Sequence, residues 1–81
     1  NKTIMNVYQL LTTIPHKDIR FLLQQGIINP CTLHYMEIYA DFTQQIAMGE
    51  KKMQAYCNVG IAHRISEERC RKIIKMMNEK Q

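Results

Sequence analysis

The stretch Asn58-Val-Gly-Ile-Ala-His-Arg-Ile-Ser66-Glu-Glu-Arg-Cys70-Arg-Lys-Ile73 decides the fold. Its pattern predicts two short helices joined by a tight turn. Val59 and Gly60 offer an apolar and a small position, where one helix can cross another closely. Ile65 is expected to be the buried residue of the turn. Ser66 can cap the following helix by accepting from an orphaned backbone N–H. Glu67 and Glu68 then fall in the first turn, where negative charge suits the helix dipole. Ile65 and Cys70 have the spacing of a hydrophobic staple across that cap. Cys70, Ile73, Ile74 and Met77 follow at i, i+3, i+4 and i+7 and form an inward stripe. Glu68, Arg71, Lys72 and Lys75 collect on the opposite face, which is therefore polar and mostly basic.

Working outward, the preceding segments also read as helices. Ile4, Val7, Tyr8 and Leu11 mark the stripe of a first short helix. Pro15 suits the first position of a second, which points Ile19, Leu22 and Leu23 inward and stops at Gly26. Asn29 caps a third, with Pro30 in its first turn. That helix runs to about Met48, with Tyr35, Ile38, Tyr39, Phe42 and Ile46 on one wide apolar face, and Gly49 ends it. A fourth begins near Glu50 or Lys51 and leads into the quoted stretch. Gly60 costs it roughly 1 kcal/mol of propensity relative to alanine, so a break there, short of His63, is expected.

These elements predict an all-α fold, a compact bundle of about five helices in one domain spanning residues 1–81. A chain of this length buries only about 60% of its extended surface. An apolar content of 46% nevertheless places it among folding sequences. A thin core favours dimerisation, and a homodimer is expected. The three cysteines, at 31, 57 and 70, form no C-x-x-C pair and leave at least one thiol free in a monomer. All three are expected to act as small buried hydrophobes in a reducing compartment. No apolar run approaches the roughly 18 residues of a membrane span, and the N-terminus lacks a signal-peptide layout. A cytoplasmic protein with no membrane contact is the expectation. Asn1 in place of an initiating methionine predicts further residues upstream.

Charge divides the chain. Residues 1–49 carry three basic and three acidic side chains and balance at zero, which suits a scaffold with candidate dimerisation helices. Residues 50–81 carry eight Lys or Arg against four Glu, so the whole formal charge of +4 belongs to this part. Two helices with a tight turn and a basic outer face have the layout of a DNA-binding helix-turn-helix. Ser66, Glu67, Glu68, Arg71, Lys72 and Lys75 would line the groove-facing side. Arg71 is the best candidate for a bidentate guanine contact, because its fork matches the O6 and N7 acceptors. Arg64, Arg69, Lys72 and Lys75 would mostly meet phosphate, which sets register but not sequence. Glu67 or Glu68 can accept from a cytosine amino group or serve simply as helix starters. Lys51 and Lys52 are candidate backbone contacts from the fourth helix.

On Gly60, Ile65-Ser66, Arg69-Cys70 and the closing Ile73-Ile74, the chain resembles bacterial helix-turn-helix transcription regulators. It is most similar there to the Mor (middle operon regulator) activator family of phage and mobile elements. The similarity spans about a fifth of the chain. It implies a small transcriptional regulator that binds double-stranded DNA in sequence-specific fashion. Two positions depart from the pattern: Arg64 stands where glycine is usual, and His63 where an apolar residue is. The short extended segment that the Mor family places before its motif has no counterpart between Met48 and Tyr56.

Other chemistries fit less well. Cys31 and His34 are three apart on one helix, and Cys57 with His63 could approach from another as zinc ligands. They lack the tight knuckle spacing of structural sites, so neither metal nor cofactor is expected. His16, His34 and His63 are not near paired carboxylates in sequence, no phosphate-binding glycine loop, nucleophile elbow or H-E-x-x-H is present, and an enzyme is not expected. The alternative to DNA is a protein-interaction module, an adaptor or anti-repressor whose basic helix meets an acidic partner.

Overall fold

The computed structural model describes residues 5–80, and every regular element within them is an α-helix: α1 (Val7–Thr12), α2 (His16–Gln24), α3 (Cys31–Ala47), α4 (Lys52–His63) and α5 (Glu67–Met77). Ile4, expected in the first helix, lies outside the described residues. α1 starts at Asn6, whose side chain accepts from Gln9 N at 2.8 Å while Gln9 Oε1 accepts from Asn6 N at 3.0 Å, a complete capping box. Pro15 sits one residue ahead of α2, as its N-cap with φ −57° and ψ 146°, instead of inside the first turn. Asn29 caps α3 as expected, Oδ1 accepting from Cys31 N at 2.9 Å. Gly49 follows α3 with φ +97°, a left-handed conformation that glycine adopts without steric cost.

α4 departs from its sequence reading, because it runs unbroken through Gly60 to His63. Gly60 is fully in the interior, beside Val59, and the backbone of the following turn lies against it. Packing therefore outweighs the propensity penalty. Arg64 then takes a left-handed conformation, φ 57° and ψ 43°, and reverses the chain in three residues. Ser66 caps α5 through Arg69 N at 3.0 Å, and the cap places Glu67 and Glu68 in the first turn as the sequence predicts.

The core is built where α3, α4 and α5 pack on one another. Ile38, Tyr39 and Phe42 of α3 meet Ala55 and Val59 of α4 and all four stripe residues of α5, Cys70, Ile73, Ile74 and Met77. Each large aliphatic side chain so buried contributes roughly 1.5–3 kcal/mol, which fixes the orientation of α5 about its own axis. Ile65 packs onto this cluster from the turn, half-buried. α1 lies against α5, its Tyr8 ring 4.6 Å from that of Tyr39. Asn6 Nδ2 donates to Tyr39 Oη at 3.2 Å, and Tyr39 Oη donates to Asn78 Oδ1 at 2.6 Å. Val7 N also donates to Glu79 O at 3.0 Å, so the start of α1 is tied to the end of α5. α2 packs only lightly: Ile19 is buried, but Phe21 is 57% exposed, and Ile27, in the connection to α3, is 70% exposed. No helix among the described residues is long and apolar enough to cross a membrane.

Candidate nucleic-acid interface

The side of α5 that faces away from the core carries the charge. With Cys70, Ile73, Ile74 and Met77 turned inward, helical geometry sends Glu68, Arg69, Arg71, Lys72 and Lys75 to the surface, and all five are exposed. Ser66, Glu67 and Arg64 are exposed at the start of the same ridge. All eight residues singled out from the sequence thus lie together on the turn and on α5. They do not have equal freedom. Lys72 Nζ stands 3.7 Å from Glu68 Oε1 on the open surface, a spacing worth only a few tenths of a kcal/mol.

Arg71 is more engaged than its spacing implied. Its Nη2 lies 3.4 Å from Glu67 Oε1 and 3.9 Å from the sulfur of Met53, and its guanidinium sits 5.4 Å from the centre of the Tyr56 ring. Tyr56 is itself stacked on Phe42, ring centres 4.8 Å apart. The aromatic face attracts the cation and holds it against α4. Arg71 therefore lies along the seam between α4 and α5, with its side chain still half exposed. Met53 is in the first turn of α4, which brings Lys51 and Lys52, both exposed, to the same end of the face.

On the other flank, α5 and α3 leave an open groove of about 350 Å³. Tyr35, Ile73 and Met76 line it together with Glu68, Arg69 and Lys72. Tyr35 was read from the sequence only as a core residue of α3. It is half-buried, and it borders the charged ridge.

The turn is specified by three neighbouring features. A Cβ built on Gly60 would stand 3.0 Å from Ile65 O, so only glycine leaves the turn undisturbed. Ile65 N donates to Gly60 O at 2.9 Å and locks that approach. The His63 side chain is 13% exposed and has a partner: its Nε2 lies 2.6 Å from Asp41 Oδ2 on α3.

The cysteines correct the sequence reading. Cys70 is buried, but Cys31 and Cys57 are exposed. Burial, with a smaller contribution from the charge of Glu67, raises the Cys70 thiol above its usual value of 9.0. Of the four side chains weighed as zinc ligands, two come together. His34 and His63 meet, Nε2 to Nδ1 at 3.2 Å, but among the described residues no three His, Cys, Asp or Glu side chains converge as a metal centre.

Comparison with protein families, with curated proteins and with solved structures finds no match to this chain.

Proposed function

We propose that α4, the Arg64–Ser66 turn and α5 act as a helix-turn-helix that binds double-stranded DNA, with α5 as the helix that enters the major groove. The observation that carries this reading is the three-residue turn opened by left-handed Arg64, after which α5 carries an exposed basic ridge while its opposite face stays locked in the core. Lys72, Lys75 and Arg69 neutralise phosphates and supply affinity by counterion release. Arg71, released from Glu67 and carried on Tyr56, reads a guanine edge. Lys51 and Lys52 contact the backbone from the start of α4. Such a protein works as a small transcriptional regulator.

Two copies acting on a symmetric site are part of the proposal. α2, lightly packed and carrying exposed Phe21, belongs to the electrically neutral half, as does exposed Ile27 beyond it, so this part offers a meeting surface outside the basic segment.

The reading is tested by selecting bound sequences from a random duplex pool and measuring variants on the recovered consensus. Arg71→Ala should lose roughly 1–3 kcal/mol and relax preference at one base pair. Lys75→Ala should weaken every duplex alike and reduce the salt slope by about one. Failure to recover any consensus, together with capture of an acidic protein by the same ridge, would favour an interaction module instead.

A further inference from the structure

The contact between His34 and His63 holds more information than a surface hydrogen bond. The two imidazoles come from different helices, α3 and α4, and are 29 residues apart. Asp41 Oδ2 lies 2.6 Å from His63 Nε2, and a carboxylate can only accept, so Nε2 of His63 carries a proton. In the neutral ring the lone pair is then on Nδ1, the atom that faces His34 Nε2 at 3.2 Å. Two nitrogens bound to one tetrahedral cation, each at about 2.0–2.1 Å, stand roughly 3.3 Å apart. The separation in this protein fits that geometry. A carboxylate on the far nitrogen is also the usual support for a metal-binding histidine, since it fixes the tautomer and raises basicity.

We propose that His34 Nε2 and His63 Nδ1 form a two-histidine site for a divalent late transition metal (zinc, nickel or copper), with Asp41 as the positioning residue. His34 is exposed, so water completes the coordination shell. Imidazole ligands select these ions over magnesium and calcium, which require oxygen donors. Bound metal pins the C-terminal end of α4, one residue ahead of the left-handed Arg64, to the first turns of α3. The proposal stands independently of DNA binding.

The test uses the full chain carrying Cys31→Ser and Cys57→Ser, which removes the exposed thiols as competing ligands. Thermal unfolding and calorimetric titration are followed with zinc, nickel, copper and magnesium salts in a non-coordinating buffer. One equivalent of each transition metal is expected to bind and raise Tm by mass action, copper most tightly, with no effect of magnesium. His34→Ala keeps the His63–Asp41 contact and so should fold normally while losing the metal-dependent shift. His16→Ala should change nothing. Asp41→Asn should weaken binding by about tenfold or more. Absence of saturable binding, or an unchanged metal response in His34→Ala, would overturn the proposal and leave a plain N–H···N bond between the rings.

Discussion

Replacing Gly60 by alanine isolates the feature that shapes the turn. In an exposed helix this change stabilises by about 1 kcal/mol, because alanine is the better helix former. Here the new Cβ would stand 3.0 Å from the carbonyl oxygen of Ile65. That carbonyl cannot retreat freely. Ile65 N is bonded to Gly60 O, and Ser66, next in the chain, is held by Arg69 N and Cys70 N. Overpacking of this kind typically costs 1–3 kcal/mol, so the propensity gain is outweighed and a net loss of about 1 kcal/mol is expected. For a domain of this size that lowers Tm by about 4–8 °C. Arg64→Gly is the matched control, since it relieves a left-handed arginine and should stabilise by about 1 kcal/mol. Both are measured by thermal unfolding followed by far-UV circular dichroism. A rise in Tm for Gly60→Ala comparable to that of Arg64→Gly would refute the close approach of α4 to the turn.

Other expectations follow from named contacts. Ser66→Ala removes the cap on Arg69 N and should cost about 1 kcal/mol, read as a lower denaturant midpoint with an unchanged slope. Tyr39→Phe deletes the hydroxyl that links Asn6 to Asn78 and should cost about 1 kcal/mol, with faster amide exchange at the start of α1. A thiol reagent added to native protein near neutral pH should modify two cysteines, Cys31 and Cys57, and reach Cys70 only after unfolding. Because burial raises the folded-state Cys70 value, its contribution to stability is complete below the unfolded value of about 9 and declines as pH rises through the raised one. A Cys70→Ala variant should lose that alkaline component, seen in Tm profiles between neutral and strongly alkaline pH.

How much of this could be read from the sequence depends on the distance between the residues involved. The stripe of α5 and its Ser66 cap are local patterns, with partners three to seven residues apart, and both stand in the structure as expected. The position of the turn is legible too, since Arg64 stands where the helix-turn-helix pattern usually has glycine, and it is Arg64 that takes the left-handed conformation. Gly60 was misjudged as a break because propensity is local, whereas the burial that overrides it comes from the chain folding back at Ile65. Cys31 and Cys57 are exposed because they lie on helix faces that point outward, which the general burial of cysteine does not reveal. The setting of Arg71 was not visible either. Spacing on α5 gives its angle around the helix, but Tyr56 and Met53 on α4 decide what it rests on. The links from His63 to Asp41 and His34, and from Tyr39 to Asn6 and Asn78, span 22 to 39 residues and leave no periodic trace.

The most direct test of DNA recognition by α5 is a residue-resolved titration. A short duplex is added to isotopically labelled protein at low salt, and backbone amide shifts are followed by NMR. Saturable changes confined to Arg64 through Lys75 and to the start of α4 at Lys51 and Lys52, fading as salt is raised, are the predicted result. Changes centred on α2 or α3 with α5 unmoved, or none at all at low salt, would contradict it.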